Sequence, residues 1–84
     1  MIPENENICR LIEVIAEKQL SIKEMMAAIG LKHRPNFIEY SLSPAMSLGY
    51  VRMLYPDSPR HPRQKYLLTV KGLAVYKELM NIAH

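Results

Sequence analysis

Ser21-Ile-Lys-Glu-Met-Met-Ala-Ala-Ile-Gly30-Leu-Lys-His-Arg-Pro35 is the stretch on which the fold turns. Ser21 and Glu24 stand at the spacing of a capping box, in which the serine hydroxyl accepts the Glu24 amide and the carboxylate accepts the Ser21 amide. A helix therefore begins there, carries Ile22, Met25, Met26 and Ile29, and stops at Gly30, whose tolerance of positive φ suits the residue after a helix. Leu31 to Arg34 then form a turn. Pro35 fits the first position of a following helix, where its missing amide costs nothing. Two helices joined by a short turn are predicted.

Upstream, Ile8, Leu11, Ile12 and Ile15 recur at i, i+3, i+4 and i+7, which predicts a helix over 6–18 with Glu13, Glu17 and Lys18 off its apolar stripe. Downstream, the helix opened by Pro35 places Phe37, Ile38, Ser41, Leu42, Ala45, Met46 and Leu48 on a core-facing arc. Asn36, Tyr40, Ser43 and Ser47 form a narrow outward stripe. Pro44 removes the bond to the Tyr40 carbonyl, so a kink or a break into two short segments is predicted around Ser43, and Gly49 ends the helix.

Tyr50-Val-Arg-Met-Leu-Tyr55 reads as a strand and Lys65-Tyr-Leu-Leu-Thr69 as its partner. A two- or three-residue strand over 18–20 would complete the sheet. Between the two strands, Pro56-Asp-Ser-Pro-Arg-His-Pro-Arg63 is a proline-stiffened, basic hairpin loop. Thr69 caps a last helix from Val70, with Leu73, Tyr76, Leu79, Met80 and Ala83 returning to the core. This order is that of a winged helix-turn-helix: α+β class, mainly α, a three-helix core plus a β-hairpin wing and a C-terminal helix. One domain over 1–84 is expected, with residues 1–5 frayed.

Size and composition exclude much else. Eighty-four residues leave no room for two domains with a cleft between them. A hydrophobic share of 49% with 23% charged, and a mean hydropathy of −0.10, lie far from the signature of disorder. Cys9 is the only cysteine, which forbids an internal disulfide and points to a reducing compartment. No apolar run approaches the ~18 residues of a membrane span, and Met1-Ile-Pro-Glu4 opens no signal peptide, so a cytoplasmic chain without membrane partners is expected.

The net charge of +3 is unevenly spread. Residues 1–30 hold three basic side chains against five acidic, a balance of −2. Residues 31–65 hold six (Lys32, Arg34, Arg52, Arg60, Arg63, Lys65) against Glu39 and Asp57, a balance of +4, with His33 and His61 beside them. Such asymmetry fits a surface that meets a polyanion, although a solvated basic face would show the same balance.

No catalytic set assembles. His33, His61 and His84 lack metal-ligand spacing, and Cys9 has no histidine placed to activate it, so a small core residue is the simpler reading. Most of the six methionines lie near core faces and read as gap-fillers. A non-enzymatic module with no cofactor, metal or small-molecule substrate is expected.

For duplex DNA the argument is geometric, since the second helix of the motif enters the major groove. Asn36, Tyr40, Ser43 and Ser47 form its outward stripe, with Glu39 beside it as an unfavourable charge. Lys32, His33 and Arg34 supply charge at the helix entry. Arg60, His61 and Arg63 in the wing would enter the minor groove or grip backbone, and Arg52 and Lys65 lie on the adjoining strands. The competing reading is a protein-docking or dimerisation module, for which exposed Tyr40, Tyr50 and Tyr55 would supply contact area.

Leu20 to Phe37, Leu42-Ser-Pro-Ala-Met46, Leu48-Gly-Tyr-Val51, Pro56-Asp-Ser-Pro59 with Gln64-Lys-Tyr66, and Leu68-Thr-Val-Lys-Gly72 together resemble the winged-helix C-terminal domain of bacterial Fic-family proteins. They look equally like the tail domain of AlbA/Schlafen-type transcriptional regulators, often labelled RecG-like helicases. The likeness spans about Ile8 to Tyr76, and its most specific part is the Pro-Asp-x-Pro wing followed by Gln-Lys-Tyr. It implies the fold and a DNA-binding or regulatory role, and nothing about catalysis by these residues; as further partner, either a second copy of the chain or the catalytic or ATP-binding part of a longer chain is expected. The Fic motif, His-Pro-Phe leading to Gly-Asn-Gly-Arg, does not occur in this sequence.

Overall fold

Asn5 starts the first helix, its Oδ1 accepting the amides of Asn7 and Ile8 at 2.9 and 3.3 Å. The structure, a computed structural model, describes residues 2–83; Met1, His84 and the side chain of Ala83 lie outside the described residues. Helix α1 (Glu6–Ile15) buries all four residues of the apolar stripe, Ile8, Leu11, Ile12 and Ile15, and is the centre of the core. It ends three residues short of the expected Lys18. Ala16 turns out of the helix at φ 51, and the chain bends so that Leu20 reaches the sheet. With no apolar residue beyond Ile15 on the stripe, a further turn would bury nothing.

Helix α2 (Ile22–Ile29) carries both halves of the capping box: the Glu24 amide donates to Ser21 Oγ at 3.1 Å, and the Ser21 amide to Glu24 Oε1 at 2.9 Å. Gly30 closes it at φ 85. Helix α3 (Arg34–Phe37) begins one residue before Pro35. Its N-cap is His33, whose Nδ1 accepts the Asn36 amide at 3.3 Å.

The chain passes Pro44 without breaking. Residues Ile38–Leu42 widen into a π-helical turn, with the Ser43 amide donating to the Ile38 carbonyl, and α-helical geometry resumes in α4 (Ser43–Ser47). An α-helix would set the Tyr40 carbonyl against the proline ring, and a wider turn is a known way for a helix to absorb such a conflict. The i→i−5 turn adds a residue, so residues after it fall out of step with the simple helical wheel. Leu48 was expected in the core and is instead 51% exposed, while Ala45 is fully buried.

Strands β1 (Val51–Met53) and β2 (Tyr66–Leu68) pair antiparallel with Val51 opposite Leu68 and Met53 opposite Tyr66. Both are shorter than the sequence suggests, although the bonds Leu54 N to Lys65 O and Tyr50 O from Thr69 N continue the ladder at 2.8 and 3.0 Å. The expected third strand is a single bridge, Leu20 with Tyr66, made by two bonds of 3.0 and 2.7 Å.

Helix α5 (Val70–Ala83) is capped as expected: Thr69 Oγ1 accepts the Gly72 amide at 3.0 Å and donates to the Gly49 carbonyl. Its deepest residue is Val75, while Leu73, Tyr76 and Leu79 pack at partial burial. Phe37, Met25, Tyr50, Tyr66 and Leu68 complete a core around α1. Tyr50 is therefore no exposed contact, as the docking reading required, but a core residue. The architecture is α+β and mainly helical, a winged helix with a two-stranded hairpin.

Candidate nucleic-acid interface

Pro56, Pro59 and Pro62 remove three amide donors from the wing, and one side chain adds bonds to its carbonyls. Gln64 Nε2 donates to the carbonyls of Tyr55, Ser58 and Pro59 at 2.9, 3.1 and 3.3 Å, while its Oε1 accepts the Tyr55 amide at 2.9 Å. Backbone bonds from Ser58 to Tyr55, His61 to Ser58 and Gln64 to His61 fold the loop into successive turns. His61 stacks on Tyr55 with ring centres 4.0 Å apart, and its Nδ1 accepts the Arg63 amide at 2.9 Å. Arg60 and Arg63 are held exposed on this folded loop, and Arg52 is exposed on β1.

At the helix entry, Lys32, His33 and Arg34 are all exposed, and His33 is engaged as the cap of α3. The stripe of Asn36, Tyr40, Ser43 and Ser47 is exposed throughout but does not stay one line. Asn36 and Tyr40 border a hollow with Lys32 and His33, whereas Ser43 borders another with Arg34, Ile38 and Glu39. The π turn over Ile38–Leu42 is the cause, since it takes Ser43 out of step with Asn36 and Tyr40.

The wing and the start of α2 flank an open groove of about 480 Å³, lined among others by Lys23, Arg34, Arg60 and His61. Lys23 was not singled out by the sequence. It lies on the solvent side of α2, and only the fold of the wing brings Arg60 beside it. Lys65 lies nearby but is engaged, its Nζ 2.7 Å from Glu24 Oε1. That ammonium, followed by the Ser21 amide and hydroxyl, lowers the Glu24 carboxyl from 4.5 to about 2. Lys71 is likewise occupied, donating to the Leu48 carbonyl at 2.7 Å and lying 4.5 Å over the Tyr50 ring.

Elsewhere the chemistry is sparse. Cys9 is half-buried, its Sγ donating to the Pro3 carbonyl at 3.2 Å, and its thiol is pushed up by burial and then by Glu13 and Glu6. That is the opposite of an activated nucleophile. Among the described residues no three His, Cys, Asp or Glu side chains gather to hold a metal ion, and no helix is long and apolar enough to cross a membrane. His84 lies outside the described residues.

Residues 6–69 match the family model of the filamentation induced by cAMP protein Fic-like, C-terminal domain. This chain belongs to the Fic-like C-terminal domain family. A solved Fic family protein from Desulfovibrio desulfuricans G20 superposes on it with a TM-score of 0.74 and 38% identity, over 83% of this chain. The domain spans only 21% of that protein's length. No curated protein matches it.

The residues of the resemblance now have physical roles in this Fic-like domain. In Pro56-Asp-Ser-Pro59 with Gln64, the glutamine amide ties together the carbonyls of Tyr55, Ser58 and Pro59, the first two of which also accept backbone amides. In Leu68-Thr-Val-Lys-Gly72, Leu68 is core, Thr69 caps α5, Lys71 closes the end of the preceding helix, and Gly72 lies against the Tyr50 carbonyl.

Proposed function

We propose that this Fic-like C-terminal domain is a winged-helix module that binds duplex DNA through the entry of α3 and the basic wing. The observation that carries the reading is the set of exposed cations Lys23, Lys32, Arg34, Arg52, Arg60 and Arg63 on α2, the entry of α3, β1 and the wing, none of them ion-paired among the described residues. Of the exposed acids, Glu6, Glu13 and Glu17 belong to α1 and the turn after it, whereas Glu39 and Asp57 lie among the cations on the helix after Arg34 and in the wing. Phosphate contacts would dominate the affinity, because the split outward stripe offers few side chains at one register for reading bases. With about four to six phosphate contacts, a monomer would bind on the order of 10⁻⁴ to 10⁻⁶ M at physiological salt.

Fluorescence anisotropy of a labelled mixed-sequence duplex over a salt series tests this. The expected log–log slope is about −0.9 per phosphate contact, flattening by roughly two contacts in Arg60→Ala/Arg63→Ala. No binding at low salt refutes the DNA reading for this domain. A protein-docking role is the second reading, favoured by Tyr40 and Leu48, which are 56% and 51% exposed. That role predicts loss of partner capture on truncating these two side chains, with the arginine variant unaffected.

A further inference from the structure

The groove between the wing and α2 brings three of the exposed cations together. Lys23, Arg34 and Arg60 come from three different elements and meet around one concavity of about 480 Å³, a size typical of ligand clefts. Among the described residues none has a carboxylate partner within ion-pair distance, so three like charges share the groove. Glu24, the acid of α2's first turn, is taken by Lys65 and by the Ser21 amide, so it does not neutralise them.

His61 adds a fourth donor. Its Nδ1 accepts the Arg63 amide, which places the proton of the neutral ring on Nε2, and stacking on Tyr55 holds the ring in place. Pro59 and Pro62 line the same wall and bring no amide of their own, and the Pro59 carbonyl is drawn to Gln64. Four donors thus share a groove whose walls also carry Ile22, Tyr66 and the two prolines.

We infer that this groove is a phosphate seat, in which Lys23 and Arg34 on one side and Arg60 and His61 on the other grip one phosphate of a phosphodiester or a free phosphate-bearing ligand. It rests on the DNA reading only for the carrier of that phosphate. A bound anion relieves the repulsion among the three cations and ties the wing to α2. The wing then acts as a clamp on the backbone rather than as a reader of bases.

The test is a pair of ¹⁵N–¹H NMR titrations of the 84-residue chain, one with inorganic pyrophosphate and one with a short mixed-sequence duplex, alongside duplex affinities of two charge-matched variants. Lys23→Ala/Arg60→Ala removes two sides of the seat, and Arg10→Ala/Lys77→Ala removes two exposed charges of α1 and α5. Expected are shifts at Lys23, Arg60 and His61 with both ligands, and at least about tenfold weaker duplex binding in the first variant, with a salt slope reduced by about 0.9, the loss of one phosphate contact. The control should stay within about twofold.

Duplex binding that is unchanged in Lys23→Ala/Arg60→Ala, with shifts confined to Asn36, Tyr40 and Ser47, overturns the seat and leaves DNA binding standing. Groove shifts with pyrophosphate but no duplex binding keep the seat, assign it to a free phosphate, and end the DNA reading. Silence in both titrations refutes both.

Discussion

Replacing Gly72 by alanine sets two effects of opposite sign against each other. Within a helix, glycine to alanine gains up to about 1 kcal/mol from propensity alone. A Cβ at Gly72, however, would stand 2.1 Å from the Tyr50 carbonyl oxygen and 3.2 Å from Leu68 Cβ. Real Cβ atoms essentially never come within 3.0 Å, so α5 and the start of β1 must separate by about 0.9 Å. The oxygen that must move also accepts the Thr69 amide at 3.0 Å, and the Tyr50 ring beneath it is core. Overpacking of this kind costs about 1–3 kcal/mol and the weakened bond about 1 kcal/mol more. After the propensity gain, a net loss of about 2 kcal/mol remains.

A domain of this size loses about 4–8 °C of Tm per kcal/mol, so thermal unfolding followed by circular dichroism should show a drop of about 8–16 °C. Gly30→Ala is the comparison. At φ 85 it meets nothing within 4 Å, so only backbone strain of about 1–2 kcal/mol opposes it. A Gly72→Ala chain as stable as the parent, or more so, would refute the claim that close approach to Tyr50 fixes glycine at this position.

Three further outcomes follow from the same contacts. Gln64→Ala should leave the urea midpoint nearly unchanged, because its four bonds are exposed, yet it should speed hydrogen exchange at Ser58, His61 and Gln64 and weaken duplex binding. The Glu24 carboxyl is lowered from 4.5 to about 2 in the fold, so its stabilising effect is present above about pH 4.5 and disappears as pH falls towards 2. Urea midpoints of the parent and Glu24→Gln should accordingly differ at pH 6 and converge near pH 2, and a constant gap would remove Lys65 and Ser21 as the cause. Leu48→Ser should cost no more than about 0.5 kcal/mol, against about 3–5 kcal/mol for Phe37→Ala, and equal costs in chemical denaturation would mean that the π turn does not rotate Leu48 outward.

What the sequence determined by itself is the set of features that depend on near neighbours along the chain. The capping box at Ser21 and Glu24, the closure at Gly30, the apolar stripe of α1 and the cap at Thr69 are local hydrogen bonds and helical periodicity, so the element order and the winged-helix class were legible. The ends were less so. Helix α1 stops at Ile15 because Leu20 must reach Tyr66, a partner 46 positions away. The outward stripe looked continuous because a wheel assumes one period, and the π turn that passes Pro44 changes it.

Only the tertiary structure decided which cations are free. Lys65 and Lys71 look like Lys23 in the chain, yet one is bound to Glu24 and another to the Leu48 carbonyl. Lys23, Arg34 and Arg60 meet because the wing folds back on α2, held by a glutamine whose partners are backbone carbonyls. Periodicity and charge counts carry no information about contacts made across loops, and it is those contacts that assemble the groove.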